Sequence, residues 1–375
     1  MSRLNFLKIT SVALMVEVAS QQNEREANMI NGKLGIGIIG TGGISNAHVD
    51  GYLRLGDQVK IIAVADIIHE KAEAAAKRWG VEHALGDYHQ LLEMDEIDAV
   101  SVCTYNAAHC QPTVDALQAG KHVLVEKPMA VNAQEAYRMA TAAEEAGKIL
   151  MVGMKWRFRP ETLAARQAVE AGLIGDIYYA EAVGWQRRGI PGGTFIKKAT
   201  AGAGALMDNG VYTLDTVLYI MGHPQPLSVS ASAGAYFGKR TDVSWEPNDF
   251  TVEDFGVAFV RLEGGITLFF GHAWAINFED YWKMRIAGTD GGIELTPLKI
   301  FHGGYSNLKD VTPEKLPEGS IDIWYEVTRF VDAIREGKPS PVPGDKFLYT
   351  NVIFDGLFES ARLGCEVQVK LPSDI

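Results

Sequence analysis

A glycine-rich turn set between a short apolar run and a helix-forming stretch limits the fold of this chain more than any other feature. The segment Gly37-Ile38-Ile39-Gly40-Thr41-Gly42-Gly43-Ile44-Ser45 closes the apolar run 34–39 and opens a helix expected over 45–55. A dinucleotide fingerprint requires that strand–turn–helix context. Gly40 permits the tight turn, and Gly42 lets the backbone approach a pyrophosphate. The helix N-terminus offers unpaired N–H groups to the anion. Thr41, Gly43 and Ile44 complete the turn, and Ser45 stands where a third glycine would. A second strand, 59–65, delivers Asp66, 24 residues after Gly42. An acid at that point hydrogen-bonds the ribose diol and repels a 2′-phosphate, so the expected cofactor is NAD rather than NADP. The competing reading of Asp66 is a plain strand-end cap.

The pattern beyond the turn is an alternation. Helices are expected over 70–79, 90–94, 111–119 and 132–146, and strands over 99–103, 123–126 and 149–152. Strands alternating with helices through short links indicate a parallel, doubly wound sheet. The pattern then changes. A helix over 161–171, a strand over 177–183 and a helix over 205–221 lead into strands at 227–235, 251–262, 266–275 and 282–287. Gly264-Gly265 reads as a hairpin turn, and helices at 323–336 and 346–363 close the chain. The expected fold is an α/β Rossmann domain over 34–155. It is followed by an α+β domain over 156–375 with a large, mostly antiparallel sheet.

Composition excludes several classes. The formal net charge of −12 in 375 residues argues against a general nucleic-acid binder, whose footprint is basic. Three cysteines, Cys103, Cys110 and Cys365, form no disulfide framework, and no Cys/His cluster suits zinc, so no metal is expected. No stretch forms a clean membrane-spanning helix. Arg3 and Lys8 precede an apolar run that Glu17 interrupts, with a poor cleavage site at Ala19-Ser20. Residues 1–33 therefore read as a leader, a disordered extension or a start-site artefact before Met29, and a cytoplasmic protein is expected. A mature N-terminus near Gln21 in mass spectrometry would contradict that.

The run Val123-Leu124-Val125-Glu126-Lys127-Pro128 places a lysine at the carboxyl end of a parallel strand, where such sheets bind ligands. Downstream lies Gly202-Ala203-Gly204-Ala205-Leu206-Met207-Asp208-Asn209-Gly210, running on to Tyr212 and Asp215. With the turn, Asp66 and Glu126-Lys127-Pro128, this motif makes the chain resemble the Gfo/Idh/MocA oxidoreductases from about residue 34 to the C-terminus. Thr104-Tyr105-Asn106-Ala107-Ala108-His109 is similar to that family's loop beside the nicotinamide, with Tyr105 where proline is usual. The resemblance implies nicotinamide chemistry on sugars, inositols and related polyols. It implies that Thr104, Asn106, His109 and Glu126 line the cofactor, that Lys127 contacts the reacting oxygen, and that a cis bond to Pro128 is allowed. It implies that Asp208 and the residue four later face the substrate. Most members carry histidine there; this chain has Tyr212.

Oxidising an alcohol needs a group to take the hydroxyl proton, and reduction needs a donor. A phenol near pKa 10 is the better acid, and a nearby ammonium would lower it, so Lys127 and Tyr212 are the expected proton-handling pair, with Asp208 orienting Lys127. Arg157 and Trp185 are further substrate candidates near the domain junction. Packing roles compete for each: a core aromatic for Tyr212, a buried acid for Asp208, sheet packing for Trp185. Two other functions share the fold, an NAD-dependent glycosidase working by transient oxidation and a non-catalytic sugar or NAD sensor. A homo-oligomer, dimer or tetramer, is implied by the same resemblance.

Overall fold

The computed structural model describes residues 32–372. The leader expected over 1–33 lies outside the described residues apart from Gly32 and Lys33. The first sheet holds β1 (Leu34–Ile39), β2 (Val59–Ala65), β3 (His83–Leu85), β4 (Ala99–Val102), β5 (His122–Glu126) and β6 (Leu150–Gly153) in the order β3-β2-β1-β4-β5-β6. Every pairing in it is parallel. Strands β1, β4, β5 and β6 are buried along their whole length, which is why they read as unbroken apolar runs rather than alternations. Strand order reverses between β1 and β4, and such sheets open a crevice for ligands there, beyond the carboxyl ends of the strands.

The second sheet has nine strands: β7 (Ile177–Trp185), β8 (Pro226–Gly234), β9 (Phe255–Leu262), β10 (Thr267–Ala273), β11 (Tyr281–Gly288), β12 (Gly291–Leu295), β13 (Leu298–His302), β14 (Lys309–Asp310) and β15 (Val367–Gln368). Their order is β14-β13-β12-β11-β7-β10-β9-β8-β15, antiparallel except for β7 against β10. Gly264-Gly265 makes the expected turn between β9 and β10. The short strands β3 and β12 to β15 were not legible in the sequence; two to five residues of half-exposed chain carry too little pattern. The helix expected over 205–221 is two pieces, Ala205–Asp208 and Gly210–Met221, separated at Asn209.

The closing helices return to the nucleotide domain. Ile323–Glu336 packs on the first helix, Gly43–Arg54, and Gly344–Leu363 packs on both Ala133–Ala146 and β8. The Val152 N–H donates to the Val342 carbonyl at 3.0 Å, fastening β6 to the segment between those helices. One continuous apolar core therefore runs through both sheets. Beyond the end of β5, Lys127 reaches Asp208 and the ring of Tyr212 in the second domain.

Candidate active site

At the end of β1 the chain turns through Gly40 with φ +89°, and a Cβ there would lie 2.8 Å from the Cys103 carbonyl carbon. Only glycine meets both demands. A Cβ on Gly42 or Gly43 would meet nothing within 4 Å, so the backbone of the turn borders open space of the kind a pyrophosphate needs. Asp66, at the end of β2, accepts from the Thr41 N–H at 3.0 Å and hydroxyl at 2.8 Å, and from the Ile68 N–H at 3.0 Å. Burial acts to raise this carboxyl, and those hydrogen bonds outweigh it and hold it below its ordinary range. A charged acid beside the turn is the group that selects a ribose diol. The residues present thus fit the adenosine half of NAD.

Lys127 leaves the end of β5 through a cis bond to Pro128. Its Nζ donates to the Asp208 carbonyl at 2.8 Å and to Asp208 Oδ1 at 3.0 Å. The Lys127 side chain keeps 14% of its surface exposed, against 2% for Arg157, so it alone of the two remains open to a ligand. The indole N–H of Trp274 donates to Asp208 Oδ2 at 3.1 Å, so both carboxylate oxygens are held. Asp208 in turn rides on a one-turn helix braced by Glu253. That carboxylate accepts from the Gly204 N–H at 2.9 Å and the Leu206 N–H at 3.1 Å.

Tyr212 lies on a different helix from Asp208, beyond the break at Asn209, yet both side chains meet Lys127. The Lys127 ammonium lies 4.9 Å from the centre of its ring, and Trp156 stacks on it at 5.0 Å. The effect on the phenol is opposite to the expected one. Burial first, then nearby carboxyl groups with Glu126 foremost, push it far above its ordinary value. The ammonium meets the ring face as a cation–π contact, and burial with the nearby carboxyl groups decides the direction. Tyr212 is therefore a protonated phenol that can donate, not a phenolate base.

Other expected site residues are placed differently. Arg157 is buried and paired bidentately with Asp215, at 2.8 and 2.6 Å, so its guanidinium is tied to helix Gly210–Met221 and is not free for substrate. Trp185 lies on the far face of the second sheet. A Cβ on Gly184 would meet His272, on the side of helix Gly210–Met221, whereas Trp185 covers Gly271 and stacks on Phe255 at 5.8 Å. Strand alternation sends neighbours to opposite faces. His109 is buried, with Nδ1 2.8 Å from the Pro128 carbonyl and Nε2 3.2 Å from that of Thr104; it ties the loop to the Lys127 turn. Burial lowers its pKa, so it is neutral. Asn106 donates to the Ala201 carbonyl at 3.0 Å, across to the second domain, and the Thr104 hydroxyl donates to the Ala108 carbonyl at 2.9 Å. Glu126 spends both oxygens internally, on His48 Nε2 at 2.8 Å and the Lys127 N–H at 3.1 Å.

Sequence reasoning missed Trp274, Glu253, His272, His48 and Glu326. Each acts on a partner tens to hundreds of residues away, so no local spacing announces it. His272 packs beside Gly210, at the start of the helix that carries Tyr212. It is buried, neither ring nitrogen has a hydrogen-bond partner among the described residues, and burial followed by the Lys127 charge lowers it to about 3, so it stays neutral.

An oxidoreductase family with an NAD-binding Rossmann fold matches residues 34–154, and the GFO/IDH/MocA C-terminal domain matches residues 162–294. The chain belongs to the Gfo/Idh/MocA oxidoreductases, and its cofactor is NAD. It is 28% identical over 349 residues to the D-glucoside 3-dehydrogenase of Escherichia coli, spanning 91% of this chain and 99% of that protein. It is 31% identical over 342 residues to an uncharacterized oxidoreductase of Bacillus subtilis, spanning 89% and 96%. Its fold matches a levoglucosan dehydrogenase solved with NADH, with a TM-score of 0.79 at 23% identity over 91% of this chain and all of that one.

Proposed function

We propose that the chain moves hydride between NAD and a hydroxyl or carbonyl carbon of a sugar, inositol or related polyol, with Lys127 and Tyr212 handling the proton. The observation that carries this is the Lys127–Asp208 ion pair, which brings a lysine from the nucleotide sheet and an acid from the second domain to one partly open point. NAD supplies the hydride acceptor, and as NADH the donor. The turn at Gly40, Gly42 and Gly43 would hold its phosphates, and Asp66 its ribose diol.

The remaining chemistry belongs to the side chains. Two of the three N–H bonds of Lys127 go to Asp208, and the third is left for the substrate oxygen. During reduction the ammonium gives its proton to that oxygen as negative charge develops; during oxidation the same nitrogen, deprotonated, takes the hydroxyl proton. Tyr212 supports this as a hydrogen-bond donor to the same oxygen. Asp208, fixed by Trp274, keeps Nζ from swinging away.

Lys127→Met tests the reading. Turnover should fall by roughly 10²-fold or more, while NADH binding, followed by fluorescence, persists. Unchanged turnover would remove Lys127 from the reaction. The substrate screen follows NADH absorbance across sugars, glycosides and inositols. Nitrophenol release from a chromogenic glycoside without net NADH would instead identify the transient-oxidation glycosidase.

We also infer a cytoplasmic homo-oligomer that pairs through the outer face of the nine-stranded sheet. Exposed Phe259 packs against Phe269 there with ring centres 5.3 Å apart, and none of the three cysteines is bonded. A monomer in sedimentation at micromolar concentration would contradict the assembly.

A further inference from the structure

Beneath the Lys127 turn lies a polar cluster that the reaction described above does not use. His48 comes from the first helix, Glu126 from the end of β5, and Glu326 from helix Ile323–Glu336. All three are buried, and a nitrogen or oxygen of each lies within 4.8 Å of the other two. His48 Nε2 is 2.8 Å from Glu126 Oε1, and His48 Nδ1 is 3.1 Å from the Ser101 hydroxyl, which meets the Tyr52 hydroxyl at 2.8 Å. Glu126 Oε2 accepts from the Lys127 N–H. Glu326 Oε2 has no hydrogen-bond partner among the described residues.

Two buried carboxyl groups and one imidazole cannot all be ionised without leaving a net charge away from water. Where carboxyls share such a site, one of them keeps its proton. Glu126 is the one already compensated, by His48 and by a backbone N–H. We propose that Glu326 is a positioning residue: held neutral, it forms one proton-holding unit with His48 and Glu126 and keeps a second negative charge away from Glu126, the side chain that anchors the Lys127 backbone.

The electrostatics agree. Burial, then Glu126, raise Glu326 to about 8, against His48 and Lys155. Burial works to raise Glu126, but His48 and Lys127 bring it below its ordinary value. Burial works to lower His48, but Cys103 and Glu126 carry it well above an ordinary imidazole. The charged and titratable groups facing Glu326 are thus Glu126, His48, Lys155 and the phenols of Tyr52 and Tyr212. Ionising Glu326 puts a second negative charge beside Glu126. The consequence for catalysis rests on the reaction proposed above; the proton unit does not.

Glu326→Gln keeps the shape and cannot ionise. Glu326 rises from its ordinary 4.5 to about 8 on folding, so the wild type loses stability as pH climbs through that window and the variant is spared. The Tm of the variant minus that of the wild type should widen by roughly 1–3 °C per pH unit from pH 5 to 8, then level off. A gap that stays flat overturns the proposal. So does stoichiometric metal in the purified protein, since the same three side chains are spaced to take a cation. If the variant does not fold, infrared spectra of the wild type decide. A protonated-carboxyl band that still titrates above pH 7.5, beyond Asp355 at about 6 and Glu253 at about 7, supports the unit, and its absence overturns it. In turnover, the wild type should lose activity above about pH 8 and Glu326→Gln should lose less. A widening Tm gap in a protein with no dehydrogenase activity would leave the proton unit standing and remove the reaction.

Discussion

Tyr212 shows how much a single position depends on its surroundings. Four residues after Asp208, it meets the same lysine, but through its ring, with its hydroxyl held protonated by burial and by nearby carboxyls. Tyr212→Phe keeps the ring under the ammonium and removes only the hydroxyl. Turnover should fall by roughly 10²-fold if the phenol donates to the substrate oxygen, with the fall concentrated in kcat. A Phe variant with wild-type kcat would reduce Tyr212 to a cation–π platform. The spacing was readable in the sequence, and the direction of the phenol's shift was not. The burial that leads it and the Glu126 carboxyl come from other elements. Arg157 and Trp185 repeat the lesson: a guanidinium near a cleft was legible, but its buried partner Asp215 was 58 residues away.

At the scale of elements, the short helix Ala205–Asp208 is what aims Asp208 at Lys127. Gly204 precedes it because the chain passes directly over Glu253, and a Cβ on Gly204 would lie 1.9 Å from the Glu253 carbonyl oxygen. Gly204→Ala must push the turn away from its brace. Overpacking of this kind costs about 1–3 kcal/mol, visible as a lower midpoint in urea unfolding. Because the displaced turn carries Asp208, kcat should fall along with stability. An alanine variant of normal stability and turnover would show that Glu253 does not aim the helix. The glycine motif was legible as a motif, and its reason was not, since Glu253 arrives from the segment before β9. The parallel sheet was the most legible element of all. Long buried strands and helices of regular composition carry their own pattern, whereas β12 to β14 exist only because they find neighbours.

Across the whole molecule, titration should set the pH range of stability. Burial, then Glu126, raise Glu326 to about 8, and burial raises Glu253 to about 7. Both carboxyls bind protons more tightly folded than unfolded, so their contribution is full below about pH 4.5 and is lost as pH rises through 7 and 8. Glu126 and Asp66 are shifted down, so theirs is present above the ordinary carboxylate range and is lost as pH falls below it. Unfolding midpoints of the wild type should therefore peak on the mildly acidic side of neutral and decline through pH 8. A midpoint still rising between pH 7 and 8 would contradict this balance. The sequence by itself determined most of the nucleotide half: the alternation of its strands and helices apart from β3, the turn at Gly40, the acid at Asp66 and the lysine at the end of β5. Those signals are local, because a turn, a strand end and an apolar run are each written in consecutive residues. Only the tertiary structure decided what surrounds Lys127: Asp208 and Trp274 above it, Tyr212 beside it, and His48, Glu126 and Glu326 below. Burial and charge at a point where five separate segments meet depend on all of them at once, and no one segment carries that sum.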